Sequence, residues 1–202
     1  MTSLLILHLA FLLASEPVPV HQLEEIPFLP TPMEVVDRML EIAEVKQDDV
    51  IYDLGSGDGR IVIRAAKKYG ARGVGIEMDS WLVEFARAKA QEEGVDHLVE
   101  FRIEDALKVD ISQATVVTLY MLPWFNERMR PVLQKHLKPG ARIVAHDYDI
   151  EGWPATKIEK LPEVEKRTDG YTHRHTIYLW RIGGVAATSI CQVNCNVKMS
   201  GW

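Results

Sequence analysis

Cysteine is scarce in this 202-residue chain: there are two, Cys191 and Cys195, both within the last dozen residues. That excludes a disulfide framework or a cysteine-rich metal site in the main body. The C-x-x-x-C pair reads as two unpaired tail thiols. Positive charge is also in short supply, with 23 Lys and Arg against 29 Asp and Glu and a net charge of -6. Arg128, Arg130, Lys135, Lys138 and Arg142 are spread along a helical stretch and the strand after it, and they read as a solvated face. Nucleic acid is therefore not the expected partner, because phosphate contacts need a concentrated basic surface. Low-complexity tracts and internal repeats are absent. With 47% hydrophobic and 26% charged residues, the composition is that of one globular domain with tails.

Basic residues are missing altogether before Arg38, and this bears on the N-terminus. Ser3 to Ala14 reads SLLILHLAFLLA, followed by the Pro-containing SEPVPV. The run is shorter than the ~20 residues a straight transmembrane helix needs and matches the apolar region of a secretory signal. The basic leader and a clear small-residue cleavage pattern are lacking. Residues 1–20 stand as a signal peptide or membrane anchor with its linker, against a buried N-terminal segment, and are set aside from the fold. The tail 183–202 has little patterning.

Residues 26–182 carry the domain. Thr31-Pro32 with Glu34 three residues after the threonine predicts a capping box at a helix start. Asp49–Leu54 reads as a buried strand, Gly55–Gly59 as a loop, Ile61–Tyr69 as a helix closed by Gly70, and Gly73–Glu77 as a second strand. Asp79 or Ser80 caps the next helix. Further strands are expected at Leu98–Ile103, Ala114–Tyr120 and Arg142–His146, with a helix from Pro123 that Pro131 restarts. This alternation predicts an α/β, Rossmann-like doubly wound sheet, mostly parallel. After it, Lys157–Lys166 and Thr172–Ile182 predict an antiparallel C-terminal edge pair. His173 and His175 would share one face of the last strand and read as structural. His146 and Asp147 read as a hydrogen-bonded pair, and no metal is expected.

The chemistry concentrates in Asp53-Leu-Gly-Ser-Gly-Asp-Gly59, between a strand and a helix. The spacing is G-x-G-x-G rather than the G-x-G-x-x-G of dinucleotide sites, which speaks against an NAD-dependent oxidoreductase. An acid two residues before the first glycine suits a cationic ligand better than a pyrophosphate. Glu77 ends the second strand, 24 residues after Asp53, where a carboxylate can accept both hydroxyls of a ribose. Asp105, after the third strand, is placed to accept the amine of an adenine. Each acid alone has an ordinary structural reading; three at successive strand ends beside a glycine loop point to a nucleoside ligand.

VIYDLGSGDGR resembles motif I of class I methyltransferases dependent on S-adenosylmethionine (SAM), GVGIEMD their second-strand acidic motif, and FRIEDAL their adenine-side motif. FLPTP, LYMLP, LKPGARIVAHDY and HTIYLWRI extend the resemblance, over Ile26 to Ile182, to small bacterial methyltransferases. These are similar to the mitochondrial lysine methyltransferases of the ATP synthase c-subunit and the adenine nucleotide translocase. The resemblance implies SAM as cofactor and S-adenosylhomocysteine (SAH) as product. It implies Asp53, Gly55 and Gly57 at the methionine end, with Ser56 and Gly59 in the same loop, Glu77 on the ribose, Asp105 and Ala106 near adenine, and Thr31 in a segment closing over the cofactor. Tyr120-Met-Leu-Pro123 would flank the transferred methyl.

The expected activity is N-methylation of lysine in a protein substrate, including a membrane protein. Tyr120 is the candidate catalytic residue, and Tyr120, Pro123 and Trp124 form the candidate substrate site, with Met121 and Phe125 as further apolar walls. The segment lacks an Asn-Pro-Pro-Tyr type motif and an acid after the fourth strand that would hold a catechol-binding metal. A small-molecule methyltransferase and a tethered SAM-binding module without turnover are the alternatives. SAM is intracellular, so a domain held on the cytoplasmic side by an uncleaved N-terminal anchor reconciles the two ends of the sequence; export is the other reading.

Overall fold

The computed structural model describes residues 28–162, 165–166 and 172–183. Its elements run α1 (Met33–Ile42), β1 (Val50–Leu54), α2 (Arg60–Tyr69), β2 (Arg72–Glu77), α3 (Ser80–Glu92), β3 (Val99–Ile103), β4 (Val116–Leu119), α4 (Pro123–His136), β5 (Arg142–His146), β6 (Lys157–Lys160), β7 (Glu165–Lys166), β8 (Thr172–His173) and β9 (Thr176–Arg181). Seven strands form one sheet in the order β3-β2-β1-β4-β5-β9-β6, and β7 and β8 form a separate two-stranded ribbon. β3, β2, β1, β4 and β5 are parallel. β9 runs antiparallel to β5, and β6 antiparallel to β9, which closes the edge as the sequence predicted. The N-terminal apolar segment and both cysteines lie outside the described residues.

Alternation along each strand divides the core in two. Ile51, Val116, Val144 and Ile177 pack with Val35, Met39, Val62 and Ala86 of α1, α2 and α3. Tyr52, Leu54, Val117, Leu119 and Ile143 pack on the other face with Phe125, Met129 and Leu133 of α4 and with Ile111. Strands covered on both faces have no polar side to show, which is why they read as continuous apolar runs. The chain leaves β1 toward β2 and β3, then returns to β4 and β5 on the other side. A crevice therefore opens where the connections after β1 and β4 diverge.

Three local expectations are corrected. Thr31 is not a capping residue: Pro32 occupies the cap position without a side-chain cap bond. Thr31 is buried, and its hydroxyl lies 3.3 Å from Nδ1 of His146, a tertiary partner that outcompetes the local one. Pro131 does not restart α4 but sits within it. It lies on the exposed face, where the carbonyl deprived of its partner can meet water. The strand expected over Thr172–Ile182 is broken after His173, so His173 and His175 share no strand. The caps at Asp79 and Gly70 formed as expected: Asp79 accepts the Trp81 and Leu82 amides, and Gly70 adopts the left-handed conformation.

Candidate active site

The crevice is built from the ends of β1, β2, β3, β4 and β5. Asp53, next to last in β1, is buried and accepts a 2.7 Å hydrogen bond from the Thr118 hydroxyl on the neighbouring β4. Burial raises its carboxyl to about 7; the Thr118 bond opposes the shift, and the charges of Glu77 and Asp58 add to it. The amides of Gly55 and Ser56 both donate to the Ile76 carbonyl at 2.9 Å, so the glycine loop folds back on β2. Gly57, at φ +51°, donates its amide to Oε2 of Glu77 at 3.0 Å, while Oε1 accepts the amides of Met78 at 2.7 Å and Asp79 at 3.1 Å. Glu77 is thereby held at the crevice with its carboxylate plane fixed.

β2 and β3 end in register, with Glu77 opposite Ile103. Met78 and Ile103 are exposed, an apolar surface beside that carboxylate. Asp105 follows, accepting the Leu107 amide at 3.0 Å and pairing with Lys108 at 2.9 Å. The lysine first, and the amide after it, keep its carboxyl below the usual range, so it is ionised. Ala106 is buried behind it.

β4 supplies the opposite wall. A Cβ added at Gly55 would lie 2.5 Å from Sδ of Met121, which puts the segment after β4 directly against the glycine loop. Tyr120 is half-buried, its ring centroid 4.0 Å from that of His146 and 6.4 Å from that of Tyr148. Burial, and then the charge of Asp147, push its phenol above the ordinary value, so it is a neutral hydroxyl at physiological pH. Pro123 opens α4 at the surface, and Trp124 packs edge-on against Phe125 with 39% of its area exposed.

Some site features lay beyond sequence reasoning. Arg60 chelates Asp58 through two 2.8 Å bonds and reaches the Thr31 carbonyl at 2.7 Å. This ties the segment before α1 to the glycine loop. Phe28 covers the same loop: its ring occupies the space a side chain at Gly57 would need. D-G-R within a glycine motif was the available signal for the Asp58–Arg60 pair, and nothing in the sequence pointed to its reach to Thr31. His146, Asp147 and His175 also meet, at the end of β5.

The ANTKMT methyltransferase domain family matches residues 53–157, from the crevice acid to the first edge strand. The chain belongs to this family. A protein-lysine N-methyltransferase of Saccharolobus islandicus is 45% identical over 159 residues, covering 78% of this chain and 94% of that protein. The human lysine N-methyltransferase of the ATP synthase c-subunit is 34% identical over 128 residues, 63% of this chain, and the alignment spans 54% of the human protein. A Salinibacter ruber crystal structure, described as an RNA methyltransferase with SAH, is 53% identical, has a TM-score of 0.69, and covers 76% of this chain and 94% of that one. The ANTKMT-family domain is thus a SAM-dependent methyltransferase. Its crevice fits that cofactor on its own terms. Three carboxylates, Asp53, Glu77 and Asp105, stand at three neighbouring strand ends, with the exposed Met78 and Ile103 beside the last two, a set of acceptors and an apolar surface that suit a nucleoside carrying an amino acid.

Proposed function

We propose that this methyltransferase N-methylates lysine side chains of a protein substrate. The observation that carries this reading is the apolar, aromatic segment after β4, where Met121 lies against the glycine loop, Tyr120 stacks with Tyr148 and Trp124 is exposed at the start of α4, a surface on which a lysine amine can shed water and its proton. The Saccharolobus and human relatives, both lysine N-methyltransferases, point the same way. SAM supplies an activated methyl group, so the protein has mainly to align the nucleophile and exclude water. A lysine amine must arrive neutral, and from its reference pKa that costs about 4.6 kcal/mol at pH 7. Apolar surroundings and the adjacent sulfonium charge lower the cost.

In this reading Asp53 faces the methionine ammonium, the Gly55–Gly59 loop with Ser56 cradles the methionine end, and Glu77 takes the ribose hydroxyls. Asp105 and Ala106 lie at the adenine, and Thr31 belongs to the segment that covers the cofactor. Tyr120 orients the amine by accepting or donating one hydrogen bond; as a neutral phenol it is not the base. Pro123 and Trp124 line the substrate entrance. Residues 26–182 are the catalytic domain and 1–20 a membrane-directing segment, which would bring the domain to membrane-protein substrates. Among the described residues no helix is long and apolar enough to cross a membrane.

Tyr120→Phe is expected to slow turnover by about tenfold, the size of one orienting hydrogen bond, with SAH affinity within twofold of the parent. Equal turnover would remove the hydroxyl from the mechanism.

A second expectation concerns pH. The Asp53 carboxyl titrates at about 7 in the folded protein and at 3.8 ordinarily. Its stabilising effect on the fold is complete below about pH 4 and fades as pH rises through 7. A bound ammonium reverses the preference by favouring the carboxylate, so binding expels a proton whenever Asp53 is protonated. SAH affinity should therefore fall by about tenfold per unit below pH 7. Titration calorimetry in buffers of different ionisation enthalpy reads this proton release, and Asp53→Asn should flatten the profile. A flat profile in the parent would take Asp53 away from the ammonium.

The defining experiment is incubation with methyl-labelled SAM and fractionated host lysate, with Asp53→Ala as control. Label on lysine in a protein band, lost in the control, supports the proposal. Label confined to small molecules, lipid or RNA overturns it.

A further inference from the structure

Against Tyr120, at the end of β5, lies a cluster that methyl transfer does not require. β5 ends in His146, and the chain turns at Asp147 with φ +61°, a rare conformation for a residue other than glycine. The Asp147 amide donates to the Thr176 carbonyl at 2.7 Å, and the Thr176 amide returns a 2.9 Å bond to Oδ1 of Asp147. That exchange brings His175, the residue before β9, against the end of β5. Nε2 of His146, Nδ1 of His175 and Oδ2 of Asp147 then form a closed triangle with edges of 2.8, 3.1 and 3.2 Å. Both histidines are buried.

Protons leave one edge of this triangle without a hydrogen bond. Each ring nitrogen offers one in-plane site, either a hydrogen or a lone pair. If both nitrogens donate to the carboxylate, two N–H groups confront each other across the 2.8 Å edge. If one nitrogen donates to the other, the acceptor nitrogen faces the carboxylate oxygen lone pair to lone pair. At most two edges carry a hydrogen bond in any protonation state, and the third repels in a low-dielectric site. A cation above the centre of the triangle makes all three contacts attractive at once. Ligands held 2.0–2.2 Å from one ion are roughly 2.8–3.1 Å apart in octahedral geometry and roughly 3.3–3.6 Å apart in tetrahedral geometry, and the edges seen lie close to the octahedral spacing.

We propose that His146, Asp147 and His175 bind one divalent transition-metal ion through Nε2, Oδ2 and Nδ1. Two imidazoles and one carboxylate suit zinc, iron(II) or cobalt(II) rather than calcium or magnesium. Two of the three residues carry the outer contacts that metal ligands need on their remaining polar atoms. Nδ1 of His146 lies 3.3 Å from the Thr31 hydroxyl, and Oδ1 of Asp147 holds the Thr176 amide. The ion pins the end of β5 to the start of β9. Through His146 it also stiffens the floor on which the Tyr120 ring rests and the segment containing Thr31. This inference stands apart from the choice of methyl acceptor.

The test uses the full chain, stripped with a chelator and titrated with Co2+ as a coloured probe, then with Zn2+. The expected result is one Co2+ per chain with visible d–d bands that zinc displaces, and a melting temperature that rises with added zinc. His175→Ala and Asp147→Asn should each weaken cobalt binding by about 100-fold or more. Cys191→Ser with Cys195→Ser should leave it unchanged. The wild-type stoichiometry and zinc-dependent melting decide the matter even if a variant fails to fold. No bands and no melting shift in the wild-type protein would establish a proton-only network and overturn the proposal. So would bands that survive in His175→Ala.

Discussion

Glu77→Ala should lower SAH affinity at least 100-fold while leaving a folded domain. The side chain is buried enough to be ordered and exposed enough to meet a ligand, and all its internal bonds come from backbone amides. Oε2 takes Gly57, and Oε1 takes Met78 and Asp79. Those three bonds engage both oxygens and fix the carboxylate at the end of β2, and the half-buried side chain keeps part of its surface open. Hydrogen bonds to a charged acceptor contribute about 1.5–3 kcal/mol each, so losing two ribose hydroxyls accounts for at least two decades of affinity. Alanine also releases the Gly57 amide and the turn leading into α3, which adds to the loss. Glu77→Gln keeps the shape and one acceptor oxygen, so its affinity should fall between the two. Calorimetric titration with SAH separates the cases, and binding within threefold of the parent in Glu77→Ala would show that the ribose does not lie on this acid.

The sheet and its helices were legible because they rest on local chemistry. β-branched runs, Asp79 and Gly70 fix strands and caps without reference to distant residues, and the antiparallel edge followed from the loss of helical spacing after β5. What escaped depends on partners far apart in the chain. The Thr31-x-x-Glu34 pattern is a sound capping signal, yet the hydroxyl sits against His146, 115 residues away. Arg60 reads as the first residue of a helix, and its bond to the Thr31 carbonyl appears only once α1 packs beside the loop. His146 and His175 come from neighbouring strands of opposite direction, so no spacing along the sequence announces their meeting. The three acids of the crevice were readable for the opposite reason. A parallel sheet puts its strand ends side by side, and acids that end successive strands are therefore neighbours.

Gly59→Ala should destabilise the domain by about 3 kcal/mol, and the comparison with Gly94→Ala shows where that cost arises. Gly59 has φ +75° and Gly94 φ +69°, so an alanine suffers nearly the same backbone penalty at either position, about 1–2 kcal/mol. Their surroundings differ. A Cβ at Gly94 meets nothing within 4 Å, whereas one at Gly59 would lie 2.6 Å from two ring carbons of Phe101 and 2.9 Å from Cβ of Ala86. Phe101 on β3 and Ala86 on α3 are both buried in the core, so neither yields without opening the packing between them. Overpacking of this kind adds about 1–3 kcal/mol. For a domain of this size the total lowers the melting temperature by roughly 6–12 °C, against about 2–8 °C for Gly94→Ala. Equal shifts for the two variants would mean that only backbone conformation matters and that α3 does not press on the loop. The expected inequality assigns Gly59 to holding α3 close to the glycine loop. Glu77, whose carboxylate accepts the Asp79 amide at the head of α3, depends on that closeness.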